Sequence, residues 1–231
     1  MAQRPVFIPG SNKKSLVEIR SVDFEWHAGM APSRKKLNVK SLHSATHDLF
    51  PHMRILEVSR FSETDLGIKL SAFNLLYDHP LFGSKVPVEC IFQSSKVFEN
   101  GGPFKDLLNV SPRDAKRDSR LQGSGRLKRF LFLDEYWELL PQTAFYDFLY
   151  LNALVQNNDL TDEIMSYDAF TDIAFNPKKS INCQAGAVAL YASLRKNGRL
   201  SNSINSKEAF ISEITGSKSL EGNSGIQGEL F

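Results

Sequence analysis

The sequence predicts an α+β fold, with a β-rich amino-terminal portion followed by a mainly helical remainder. Short apolar runs of period two occupy the first third of the chain, and from residue 84 the period lengthens to about 3.6. Composition agrees: 231 residues, 42% of them apolar and 11% aromatic, supply one sizeable core with an appended lobe at most, and seventeen phenylalanines make it ring-rich.

Residues 5–9, 16–24, 55–58 and 66–76 read as β-type runs, each short and bounded by Gly, Pro, Asn or Ser. Between them, residues 33–40 carry Arg34, Lys35, Lys36 and Lys40 against no acid, which fits a solvated loop or helix face. Pro87 suits a first helical position, and Val88, Ile91, Phe92, Ser95 and Phe98 then form one apolar or small stripe. A second helix starts at Ser111-Pro112-Arg113-Asp114, where Ser111 caps, Pro112 takes the first position and Asp114 sits near the positive end. Residues 128–133 form a strand, and Phe145, Phe148, Leu149, Leu151 and Val155 mark a helix that stops before Asn157-Asn158. The helix over 183–196 turns Val188, Leu190, Tyr191 and Leu194 inward and ends at Gly198. Glu208, Ala209, Phe210, Ile211 and Ile214 give a short docked helix, with a frayed tail after Gly216. The expected organisation is a β-rich portion over 1–66 packed on the main domain, that domain over 67–200, and a carboxyl-terminal helix and flexible tail over 201–231.

Several kinds of chemistry are disfavoured. The net charge of +2 leaves polyanion affinity to local clusters. Cys90 and Cys183 are too few for a disulfide scaffold, and the opening Met-Ala-Gln-Arg-Pro lacks the apolar core of a secretion signal, so the cytoplasm is expected. No window approaches eighteen consecutive apolar residues, so no membrane span is expected. All five histidines lie in the first eighty residues and no Cys-x-x-Cys pair occurs, so neither a metal site nor a cofactor is expected. Both glycine-rich nucleotide-binding motifs are absent.

Three constellations remain. On the helix beginning near Pro87, Glu89, Gln93, Lys96 and Asn100 fall at i, i+4, i+7 and i+11, one polar face beside Phe92. Such a row is either a solvated face with weak side-chain pairs or an acid, amide and amine gathered for chemistry. The segment 167–172 offers Asp168 and Asp172, each able to cap a turn, and is followed by the polar run 176–182. The stretch 105–129 holds eight bases against three acids, and Arg113, Lys116 or Arg117, and Arg120 recur at helical spacing. That face either meets phosphates or is merely solvated.

Three blocks resemble the NADAR family: Leu70-Ser71-Ala72-Phe73-Asn74, then Val86-Pro87-Val88-Glu89-Cys90-Ile91-Phe92-Gln93-Ser94-Ser95-Lys96-Val97-Phe98, then Leu108-Asn109-Val110-Ser111-Pro112-Arg113-Asp114-Ala115-Lys116-Arg117. The middle block is the most specific, with Glu, Phe-Gln and Lys at matching spacing. The match spans roughly residues 68–198, and the amino-terminal portion with segment 168–184 resembles the DarT-associated antitoxin branch. Val86 replaces the family's Trp, and the aspartate segment is spaced differently, which leaves the choice between Asp168 and Asp172 open.

The resemblance implies a mainly helical NADAR fold and an N-glycosidic hydrolase that removes ADP-ribose from the guanine amino group in DNA, opposing a DarT-type toxin. ADP-ribosylated DNA would be the substrate partner, ADP-ribose the product, and direct toxin contact is left open. Small-molecule N-glycosidase activity of the riboflavin-intermediate type, or non-enzymatic binding of ADP-ribose or toxin, are the alternatives. Such hydrolysis builds oxocarbenium character and needs an anion, a proton donor, and a water or nucleophile. The resemblance therefore makes Glu89, Lys96 and Asp168 or Asp172 the catalytic candidates. Lys96 would act through an imine or only as a cation, with direct water attack as the other route. Gln93 and Asn74 would orient ribose hydroxyls and Arg113 or Arg117 meet the pyrophosphate, while Ser71, Phe73, Phe92 and Asn182 complete the implied substrate-binding set.

Overall fold

Val22 and Phe24, two residues apart in the second strand, are buried with Val6 of the first strand and with Val39 and Leu42 of the helix that follows. This cluster seeds one of two compact units in the computed structural model, which describes residues 1–12, 15–80, 83–178 and 180–218. In chain order the elements begin with β1 (Ala2–Asn12), β2 (Ser15–Phe24), α1 (Pro32–Leu49), β3 (Ile55–Glu57), α2 (Asp65–Lys69), β4 (Leu76–His79), β5 (Ser84–Pro87), α3 (Val88–Ser94) and β6 (Lys96–Phe98). A 3₁₀ turn (Lys105–Asn109) leads to α4 (Pro112–Arg117), α5 (Arg120–Gly123), β7 (Leu127–Phe132), β8 (Glu135–Glu138) and α6 (Ala144–Val155). The described chain closes with α7 (Asn158–Ile164), β9 (Ala169–Thr171), α8 (Gln184–Lys196), α9 (Leu200–Ser203) and α10 (Lys207–Lys218). The fold is α+β.

The first unit comprises Met1–Ser71 and the described residues from Asn158 onward. Its sheet has the order β2-β1-β9-β3, with β9 antiparallel to β1 and parallel to β3. Pro5 and Pro9 lack a donor for the ladder, and β9 pairs with β1 only at Val6 and Phe7, between the two prolines. α1 packs against β2, and α8 packs against β1, β2 and β9. The Ser193 hydroxyl of α8 and the side-chain amide of Asn197, which caps its end, both donate to the Gly10 carbonyl, at 3.0 and 3.3 Å.

The second unit is Ala72–Asn157. β6, β7 and β8 form an antiparallel meander, and the hairpin of β4 and β5 feeds α3. Its core is aromatic. Phe145 of α6 lies 4.8 Å from Phe130 and 5.7 Å from Trp137, ring centre to ring centre, and Phe92 of α3 lies 5.4 Å from Phe130.

Three local expectations are corrected. Residues 66–76 are not a strand: Thr64 caps α2 by accepting from the Gly67 amide, and extended structure starts only at Leu76. Of the two readings of the basic run 33–40, a loop or a helix face, the structure has the helix, eighteen residues long, with Val39 and Leu42 turned into a core. α3 stops at Ser94, where the Ser94 and Ser95 hydroxyls both donate to the Ile91 carbonyl and the chain turns out to pair with β7. Lys96 is therefore on a strand and Asn100 in a turn, so neither shares a helix face with Glu89. Likewise α4 ends at Arg117 with an extended Asp118, so Arg120 does not continue its face. The expected division into portions over 1–66, 67–200 and 201–231 stays a proposal. The tail expected after Gly216 falls on the last two residues of α10 and then, from residue 219, outside the described residues.

Candidate active site

All seven residues of α3 are buried, which is why its polar side chains are not a solvated face. Its first amides are satisfied by the chain leading in: Val88 and Glu89 donate to the carbonyls of Leu75 and Ala72, each at 2.9 Å. Glu89 sits in the first turn and is 5% exposed. Its Oε1 accepts from Gln93 Nε2 at 2.8 Å and faces Lys116 Nζ of α4 at 3.4 Å. Once its amide hydrogens are directed at Glu89, the Gln93 carbonyl oxygen is left buried without a donor.

The turn after α3 brings Lys96 back over its own helix, with Nζ 4.9 Å from the centre of the Phe92 ring. The Lys96 pKa is lowered to about 8, chiefly by desolvation, with Glu89 opposing and the Lys116 charge adding to the fall. Lys116 Nζ also lies 5.4 Å from the Phe73 ring centre. The structure thus gathers Phe73, Glu89, Phe92, Gln93 and Lys96 in one unit, and adds Lys116, which sequence reasoning named only as one of several phosphate-facing cations. Asn74 is exposed, and so are Arg113 and Arg117 of α4. A groove of about 420 Å³ lined by Leu76, Asp78, Pro80, Lys85, Gln156 and Asn157 contains none of this cluster.

The remaining candidates belong to the other unit. Ser71 is buried and its hydroxyl has no partner. Asn182 is half-buried, and its carbonyl accepts from the Ser180 hydroxyl. Asp168 joins β3 to β9: its Oδ2 accepts from the Arg54 amide at 2.9 Å, and its own amide donates to the Arg54 carbonyl. Asp172 is buried in the turn after β9, where Oδ1 accepts from the amides of Ala174 and Phe175 at 2.9 and 3.2 Å.

Sequence reasoning missed Glu57, the acid that accompanies Asp172. Glu57 accepts from Ser59 Oγ at 2.6 Å, Thr171 Oγ1 at 2.7 Å and the Ile173 amide at 2.9 Å. Burial raises its pKa, and the Asp172 charge raises it further. The signal was present, since Glu57 is a lone acid inside the apolar run Ile55-Leu56-Glu57-Val58. Thr171 spends its hydrogen on Glu57, so His43 Nε2, 2.9 Å away, donates to it. Burial lowers the His43 pKa to about 4. His43 and His47 stand at the i, i+4 spacing of helical metal ligands, a pair the expectation of no metal did not weigh. Among the described residues, however, no group of three His, Cys, Asp or Glu could hold a metal ion.

A buried acid and amide beside an amine of lowered pKa are groups with the chemistry to move protons and, in the neutral amine, to act as a nucleophile. The model of the DarT1-associated NADAR antitoxin family matches residues 2–223. The chain belongs to that family, whose description is of antitoxins associated with DarT1. Among curated proteins no match was found. No helix among the described residues is long and apolar enough to cross a membrane.

Proposed function

We propose that the protein is an N-glycosidic hydrolase that removes ADP-ribose from the guanine amino group in DNA and thereby acts as antitoxin to a DarT-type ADP-ribosyltransferase. The observation that carries this reading is the Glu89–Gln93–Lys96 cluster, with its acid, its unsatisfied amide carbonyl and its amine of lowered pKa. Gln93 Oε1 accepts a ribose hydroxyl, the bond it lacks in the free protein. With the furanose open, the modified guanine is an imine of the C1 carbon. Neutral Lys96 adds to C1, and the guanine amine leaves with a proton that Glu89 is placed to relay. The resulting imine to Lys96 is hydrolysed by water to free lysine and ADP-ribose. Lys116, Arg113 and Arg117 meet the pyrophosphate. Asp168 and Asp172 both accept backbone amides, so the choice between them as the base of a direct water attack stays open.

Mass spectrometry of guanine-ADP-ribosylated DNA, before and after incubation with catalytic amounts of protein, tests the reading. Release of many equivalents of ADP-ribose per protein supports it. Protection that never exceeds one equivalent would leave an occluding antitoxin instead.

A further inference from the structure

The stretch 105–129, which the sequence offers as the phosphate-facing one, spends part of its charge on ion pairs and ring contacts. Arg120 is held by Asp106 and Asp118, Lys128 by Glu99, and Lys116 by Glu89, while Arg129 stacks 3.8 Å from the Tyr136 ring centre. That stretch keeps Lys105, Arg113, Arg117 and Arg126 exposed, and a second group of cations lies elsewhere. From Trp26 to His47 the chain has no acid, and α1 presents exposed Arg34, Lys36 and Lys40. Among the described residues only Lys40 of these has an ion-pair partner, Glu63 at 3.1 Å. Beside the first turn, Arg4 and Lys35 lie 5.2 and 4.9 Å from the centre of the Trp26 ring, which fixes two more cations next to the exposed ones.

A merely solvated face would be arranged differently. In α2 of the same unit Lys69 pairs with Asp65 at i, i+4, and acids normally occupy a first turn. α1 has no acid in its first turn, no side-chain cap, and three consecutive bases facing the positive end of the helix. This arrangement repels itself until a polyanion arrives. We infer that α1, through Arg34, Lys36 and Lys40 with Arg4 and Lys35 at its flank, binds the sugar-phosphate backbone of the DNA that carries the modified base. The partner's identity as DNA rests on the proposed function. The density of uncompensated charge on a regular helix matches the evenly spaced phosphates of a nucleic acid.

The test is the affinity of the purified protein for an unmodified, fluorescently labelled oligonucleotide across a salt series, for wild type and for the Arg34→Gln/Lys36→Gln variant. Both side chains are exposed, so thermal unfolding should match wild type. Removing two phosphate contacts should weaken binding about tenfold at low salt and flatten the slope of log affinity against log salt by about 1.4–1.8. An unchanged slope overturns the inference. So does a variant that binds the oligonucleotide normally but loses binding to an acidic protein such as the purified toxin, which would make the face a protein interface. Turnover of a single ADP-ribosylated guanosine is read in parallel. Weakened DNA binding with that turnover intact supports both readings, whereas weakened DNA binding in a protein that turns over no substrate sinks the hydrolase and keeps the surface.

Discussion

Lys96 illustrates how position sets the chemistry of one amine. Burial lowers its pKa to about 8, so about a tenth of it is neutral at pH 7, against well under a hundredth for an ordinary lysine. Turnover through the neutral amine should rise tenfold per pH unit below about 8 and level off above it. Lys116→Gln removes a charge that lowers the Lys96 pKa, so the midpoint of the pH–rate curve should move upward. Borohydride added during turnover should leave an ADP-ribosyl mass on Lys96, and Lys96→Arg should abolish both adduct and turnover; an active Arg variant would reduce the lysine to a cation. Glu89→Gln should cost orders of magnitude in turnover, and near-normal rates would remove Glu89 from the mechanism. Glu57 titrates in the opposite sense. Its folded pKa is raised, so its contribution to stability is complete below the ordinary carboxylate value of about 4.5 and is lost as pH rises toward the raised value. His43 is lowered to about 4, so its contribution is lost as pH falls from about 6.5. Urea unfolding over a pH series should therefore show the wild type weakening above mildly acidic pH, and Glu57→Gln should remove that decline.

At the level of elements, close backbone approach and short helices decide where side chains arrive. α2 lies so near β3 that a Cβ on Gly67 would fall 2.0 Å from the Glu57 carbonyl oxygen and 2.3 Å from Ser62 Oγ. Gly67→Ala should accordingly destabilise by roughly 1–3 kcal/mol, readable by urea titration, through displacement of backbone that no side-chain rotation relieves. α4 rests on a cap that the sequence announces: Ser111 Oγ accepts from the Asp114 amide at 3.2 Å and donates to its carboxylate at 2.7 Å. Its removal in Ser111→Ala should cost about 1 kcal/mol, with the larger consequence for turnover if Lys116 moves away from Glu89. Ser111-Pro112-Arg113-Asp114 was legible because capping is a property of neighbouring residues. The end of α3 was not, because Ser95 and Lys96 leave the helix to satisfy β7, a partner more than thirty residues away.

For the whole molecule, turnover should survive a chelator, since no group of three metal-ligating side chains exists among the described residues; full loss restored by a divalent ion would overturn this. The α+β class, the capped helices and the Glu89–Gln93–Lys96 spacing were set by the sequence alone, because periodicity, caps and motif spacing are local. Seventeen phenylalanines announced a ring-rich core without saying which rings meet. Tertiary structure decided the rest. It buried Glu57 beside Asp172, paired Arg120 with two acids rather than leaving it for phosphates, and of the exposed bases Arg34, Lys36 and Lys40 on α1 gave an ion-pair partner to Lys40 alone among the described residues. It also divided the implied site residues between two compact units, Glu89 and Lys96 in one and Asp168 and Asp172 in the other. Those outcomes depend on desolvation and on charges brought together from distant parts of the chain, and neither quantity exists until the chain has folded.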